Sequence, residues 1–172
     1  MRYKINIIDI IGGNMSSFSP DKYDVSDAEI LNMCKNIEDV DMPGCDNRTL
    51  LIYAASNNRL NLVKKFIKMG ANINAQDMSG YTALHSAVTM KFNEITRFLV
   101  TNGANVNIVD SWGNPPLNRC NHLNFECFHI LLEHGADCTI ENKNGISPKK
   151  LFAAYPEITR LFEMYESKNK DE

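Results

Sequence analysis

The chain lacks a surplus of positive charge: 18 Lys and Arg stand against 21 Asp and Glu in 172 residues, a net charge of −3. So balanced a chain has no general attraction for nucleic acid or an anionic membrane, and no basic stripe interleaved with aromatics offsets this. A glycine-rich phosphate loop, His-Glu-x-x-His and a Ser-His-Asp arrangement around a nucleophile motif are all missing, so the sequence assembles no catalytic site and calls for no cofactor. Cysteine is scarce and odd in number. The five cysteines contain no Cys-x-x-Cys pair, which argues against a disulfide framework and a zinc module. Cys120, His122, Cys127 and His129 are the one dense group of soft ligands; their spacing fits a packed helix beside a polar loop better than a metal site. Free cysteines point to a reducing compartment, so a cytoplasmic protein is expected. Long apolar runs are short of what a membrane needs. The isoleucine-rich start, Ile5 to Ile11, is interrupted by Asn6 and Asp9 and followed by no small-x-small cleavage site, so neither a span nor a secretory signal is expected.

Acid is unevenly placed. Residues 21–46 hold eight Asp or Glu against Lys22 and Lys35 alone, which makes that end of the molecule negative. The rest of the chain repeats itself. Gly70-Ala-Asn-Ile-Asn, Gly103-Ala-Asn-Val-Asn and Gly135-Ala-Asp-Cys-Thr follow one another at steps of 33 and 32 residues. A second phrase keeps the same phase: Thr49-Leu-Leu, Thr82-Ala-Leu, Pro115-Pro-Leu and Ser147-Pro-Lys. Two signals in step at that period define a repeat unit rather than a chance coincidence.

In these residues the chain resembles the ankyrin repeat family, over roughly residues 26–166. The resemblance implies an all-α fold: a solenoid of helix-turn-helix units with short β-turn or hairpin fingers. It divides the chain into an extension at 1–20, a short strand or disordered, a degenerate capping repeat at 21–43, repeats at 44–76, 77–109 and 110–141, a capping repeat at 142–166 and a disordered tail at 167–172. Local chemistry agrees with that division. Gly80, Gly113 and Gly145 sit where a turn prefers positive φ, with Asn47 as the one substitute. Thr49, Thr82 and Ser147 are placed to cap first helices, whereas Pro115 and Pro116 deprive the third repeat of its capping hydroxyl. Leu51, Leu84 and Leu117 supply large core residues. Ala54, Ala87 and Cys120 supply small ones, and Cys138 takes the slot of Ile73 and Val106. Second helices are written in apolar residues at helical spacing, Leu60 to Ile67, Phe92 to Leu99 and Phe125 to Leu131, each ending at a glycine. The one-residue shortening of the third repeat is expected in its inter-helix loop, Asn121-His122-Leu123-Asn124. Ser26 to Glu29 reads as a capping box. The family's Thr-x-x-His pattern, Thr82 to His85, implies a structural imidazole.

Function enters through the same resemblance. Ankyrin proteins bind through finger tips and the concave face of their first helices, which here implies a non-catalytic interaction module, a monomer holding a partner protein of unknown identity. Tip positions are Asp46 and Arg48, then Met78, Ser79 and Tyr81, then Ser111, Trp112 and Asn114, then Lys143 and Asn144. Helix positions are Tyr53, Ser56 and Asn57, then Ser86, Thr89 and Met90, then Arg119, Asn121 and His122. Residue chemistry supports part of this independently: a turn requires none of Met78, Tyr81 and Trp112, and aromatic anchors are common interface hot spots. Trp112 has a second reading, with its ring laid over the neighbouring finger against Tyr81 or the Pro115-Pro116 pair. An inhibitor or immunity protein that blocks a toxin, enzyme or transcription factor is the alternative form of the same activity.

Overall fold

The computed structural model describes residues 26–37 and 39–168, so the expected extension at 1–20 and most of the tail lie outside the described residues. Those described are helical, with no strand among them. Helix α1 (Asp27–Met33) opens on the Ser26 and Glu29 capping box. Three units follow. The first has α2 (Leu50–Ser56) and α3 (Leu60–Lys68), the second α4 (Ala83–Thr89) and α5 (Asn93–Thr101). The third has a 3-10 turn (Pro116–Arg119) and α6 (Phe125–Glu133). Helices α7 (Pro148–Leu151) and α8 (Pro156–Lys168) close the end.

Helices α2, α4 and α7 start where a hydroxyl can take up a loose helical N–H. Thr49 accepts from the Ile52 amide, Thr82 from His85 and Ser147 from Lys150, each at 3.3 Å. Each second helix stops at a glycine in the left-handed region, Gly70, Gly103 and Gly135. Between them lies a continuous strip of buried side chains from Ile30 through Leu51, Leu84 and Leu117 to Phe162. Each unit shares its apolar face with the next, which is how a quasi-one-dimensional stack builds a core without a globular centre.

Polar rungs fix the spacing. The Asp41 carboxylate accepts from the Asn72 amide at 2.8 Å, and one step on the Asn74 side chain accepts from the Asn105 amide at 2.9 Å. A further step on, Asn107 accepts from Asp137 at 2.8 Å. His85 forms a second kind of tie: its Nδ1 accepts from the Thr82 amide at 3.3 Å, and its Nε2, 3.1 Å from the Asn114 carbonyl, donates to the next unit.

The third unit departs from expectation earlier than its loop. Where α4 makes two α-helical turns, Pro116–Arg119 makes only i to i+3 bonds, from Asn118 to Pro115 at 3.0 Å and from Cys120 to Leu117 at 3.3 Å. Two prolines remove two N–H donors, and with one residue fewer the chain leaves helical geometry at Cys120 (φ −60°, ψ 140°).

Candidate protein-binding surface

The finger turns are built by one residue used three times. Asp77, Asp110 and Asn142 stand in the same phase, and each places a side-chain oxygen where it accepts two amides of its own turn. Asp77 takes Ser79 and Tyr81 at 2.8 and 2.9 Å, and Asp110 takes Trp112 and Asn114 at 2.8 and 2.9 Å. Asn142 takes Asn144 and Ile146 at 2.9 and 3.1 Å. Such a bridged turn needs nothing from its tip side chains, which leaves them free. Successive fingers are then zipped by one backbone bond per step: Met78 to the Asp46 carbonyl, Ser111 to Ser79 and Lys143 to Trp112, at 2.7 to 2.9 Å. Gly80 lies at this seam with φ +74°, and a Cβ there would stand 2.6 Å from the Ser111 nitrogen.

Asp110 is also the electrostatic centre of the surface. Its side chain is fully buried, and its second oxygen accepts from Arg119, which rises from the 3-10 turn. Burial pushes the Asp110 carboxyl up, but the hydrogen bonds from Arg119, Asn114 and Trp112 outweigh it and hold the group below the usual 3.8. Anchored in this way, the guanidinium lies over two rings, 5.2 Å from the Tyr81 centroid and 5.9 Å from that of Trp112. Both distances are within the range of cation–π attraction. Burial raises the Tyr81 phenol above 10.0, opposed by the Arg119 charge, and lowers the His85 ring below 6.5, opposed by its bond to the Asn114 carbonyl. Tyr81, Trp112, Asn114, Arg119, Asn142 and Asn144 line a shallow cleft of about 310 Å³.

Of the positions expected to face a partner, Met78 is 73% exposed, Trp112 54% and Met90 50%, and Asp46, Thr89, Ser111, Ser79 and Lys143 are exposed too. More than half of Trp112 faces solvent, and the neighbour recorded for its ring is the Arg119 guanidinium, which also lies over Tyr81. Ser86 is corrected. It is buried, because α4 turns that side toward the core and only the helix end, Thr89 and Met90, emerges. Other expected contacts are partly occupied by the fold. Asn114 gives its amide to Asp110 and takes those of Asn118 and Asn142, and Asn121 accepts from the Leu123 amide. His122 stacks on Tyr155 with centroids 4.6 Å apart, Arg48 reaches toward Asp77 at 3.9 Å, and Tyr53 is half-buried. The residues not singled out from sequence are Asp110 and Asn142. Their signal was present in the recurrence of Asp or Asn at the head of every finger from Asp77 onward.

Among the described residues no group of three or more His, Cys, Asp and Glu is placed to hold a metal ion, and no helix is long and apolar enough to cross a membrane.

Comparison with known proteins places this geometry in a family. A profile of ankyrin repeats in three copies matches residues 24–110 and 51–142. An ankyrin repeat-containing protein of Schizosaccharomyces pombe is 32% identical over 123 residues, 69% of this chain and 58% of that protein. The B-cell lymphoma 3 protein homolog of Mus musculus is 38% identical over 88 residues, 51% of this chain and 19% of that one. An ankyrin repeat protein of Acanthamoeba polyphaga mimivirus is 30% identical over 130 residues, covering 70% of this chain and 80% of its own length. The chain thus spans about three fifths of the yeast relative and a fifth of the mouse one.

Proposed function

The chain belongs to the ankyrin repeat family, and from that membership we propose that it is a non-catalytic module, acting as a monomer in the cytoplasm, whose finger tips and first-helix face hold one partner protein. Ankyrin repeats are protein-interaction modules, so a general binding role comes with the family. The observation that carries the finer reading is the exposure of Met78, Trp112 and Met90, three large apolar side chains on turns and helix ends that fold without them. Beside them the Arg119 guanidinium is held rigid by Asp110, so a partner meeting this cleft spends little side-chain entropy on ordering it. Residues 21–43 and 142–166 are read as the polar caps of the stack.

The test is an affinity capture with wild type, a Met78→Ala/Met90→Ala/Trp112→Ala variant, and a Lys64→Ala/Lys68→Ala control on the second-helix face. All three are first shown to be folded by circular dichroism. Retention of a partner by wild type and control, with loss in the triple variant, is the expected result. If the triple variant keeps the partner and the lysine variant loses it, the binding face is the opposite one. An inhibitor would declare itself by loss of the captured partner's own activity in the complex.

A further inference from the structure

Two thiols meet inside the third unit. Cys120 Sγ and Cys127 Sγ are 3.0 Å apart, Cys120 being 6% exposed and Cys127 wholly buried. A sulfur–sulfur bond measures about 2.05 Å, so roughly 1 Å of approach would join them. Three observations make this more than a packing contact. The first is the phase of the repeat. The slot of Cys120 holds Ala54 and Ala87 in the preceding units, and that of Cys127 holds Leu62 and Ile95. A small and a large hydrophobe are replaced together, within one unit, by two cysteines. The second is the backbone, since the 3-10 turn ends on Cys120 in extended geometry rather than within a helix. The third is the intervening loop, which is already ordered. The Asn124 amide donates to the Asn121 carbonyl at 2.8 Å, and Asn124 Oδ1 caps α6 by accepting from the Cys127 amide at 3.3 Å.

We propose that Cys120 and Cys127 are a reversible dithiol–disulfide pair, open in a reducing cytoplasm and closed by a disulfide oxidant of the glutathione class. The exchange is balanced: one Cys120–Cys127 bond forms, one glutathione disulfide bond breaks, and two protons and two electrons pass to two glutathione molecules. Closure would tie the end of the 3-10 turn to α6 one residue from Arg119, so the redox state acts on the segment that carries the cleft's cation. Burial holds the Cys120 thiol well above 9.0, which makes attack slow and the pair a responder at equilibrium rather than a rapid peroxide sensor. Cys138 has a different partner, since its thiol donates to Glu166 at 3.1 Å.

The experiment equilibrates the full chain in glutathione buffers of graded ratio, once folded and once in urea, traps free thiols by alkylation and maps linked peptides by mass spectrometry. A Cys120→Ala/Cys127→Ile variant, which writes in the pair of the preceding unit, is the folded control and should show no such link. The expected result is a Cys120–Cys127 disulfide favoured by ~10-fold or more in equilibrium constant in the folded chain over the unfolded one, reversed by reduced glutathione. Amide exchange at residues 119–123 should slow on oxidation in wild type and not in the control. A folded-to-unfolded ratio of one or less, or a folded chain that oxidises through other cysteines while this pair stays reduced, would overturn the proposal.

Discussion

Four donors converge on Asp110, and only one of them is a side chain that brings charge. Removing it by Arg119→Ala leaves a buried carboxylate with two turn amides and the Asn114 side chain, all neutral, and should cost ~1–3 kcal/mol in urea unfolding. Trp112→Ala removes one cation–π contact from a half-exposed ring and should cost no more than ~1 kcal/mol. The two residues therefore separate stability from binding, and a binding variant that includes Arg119 confuses them. His85 gives a pH signature. Its ring is held neutral below 6.5 in the fold, so the unfolded chain binds the extra proton. Its contribution is thus complete above that value and is lost as pH falls through the folded one. Stability should decline as pH falls below 6.5, and His85→Gln should flatten that part of the curve. Asp110 acts in a lower window, below 3.8. Glycine positions differ as well. Gly80→Ala and Gly70→Ala both place a Cβ at positive φ, worth ~1–2 kcal/mol, but only at Gly80 does it also strike the next finger's backbone. Gly80→Ala should lower the melting temperature further.

Among the elements, the terminal helix α8 has the clearest energetic role. Phe162 packs against Phe128 and Phe152, with centroids 6.0 and 6.5 Å away, and Glu166 bridges back to Lys149 at 2.8 Å. Without α8, the apolar side of α6 would face water. Phe162→Ala should cost ~3–5 kcal/mol, seen as a lower urea midpoint. The elements also mark how far the sequence could be read. Caps, glycine stops and second helices recur in phase, and each has a local cause that needs no knowledge of neighbours. The 3-10 turn was not legible. A single missing residue between Leu117 and Ile130 can be absorbed anywhere along that stretch, and which place gives way depends on how Pro115 and Pro116 pack against the preceding unit. The cleft was legible only as a set of positions. That Arg119 lies over Tyr81 and Trp112 depends on side-chain angles, and that Ser86 is covered depends on how deeply α4 is packed, neither of which a repeat pattern encodes.

At the scale of the whole molecule, stability is a sum over neighbours, so a lesion should act where it falls. Leu84 is buried in the middle of the strip, on a helix that packs against α2 on one side and the 3-10 turn on the other, and Leu84→Ala should cost ~2–5 kcal/mol with amide exchange rising through α2 and α4 alike. Phe162→Ala should instead release α7 and α8 first while α4 stays protected. If both variants raised exchange uniformly, the stack would be one cooperative block rather than a chain of coupled units. The polar rungs carry a different implication. Asn105 supplies the amide that Asn74 binds, and Asn107 supplies the acceptor for Asp137, so residues 77–109 present the complement of their own far edge. A tandem copy of that segment would meet the original with this rung already matched, Asn107 of one facing the Asn105 amide of the other, and an in-frame duplication of 33 residues should lengthen the protein with the ladder unbroken. A duplicated stretch that is not close to a whole unit would arrive out of step and leave its rungs unmade. The ladder is thus a joint as well as a brace, and the gene can grow by whole units without redesign.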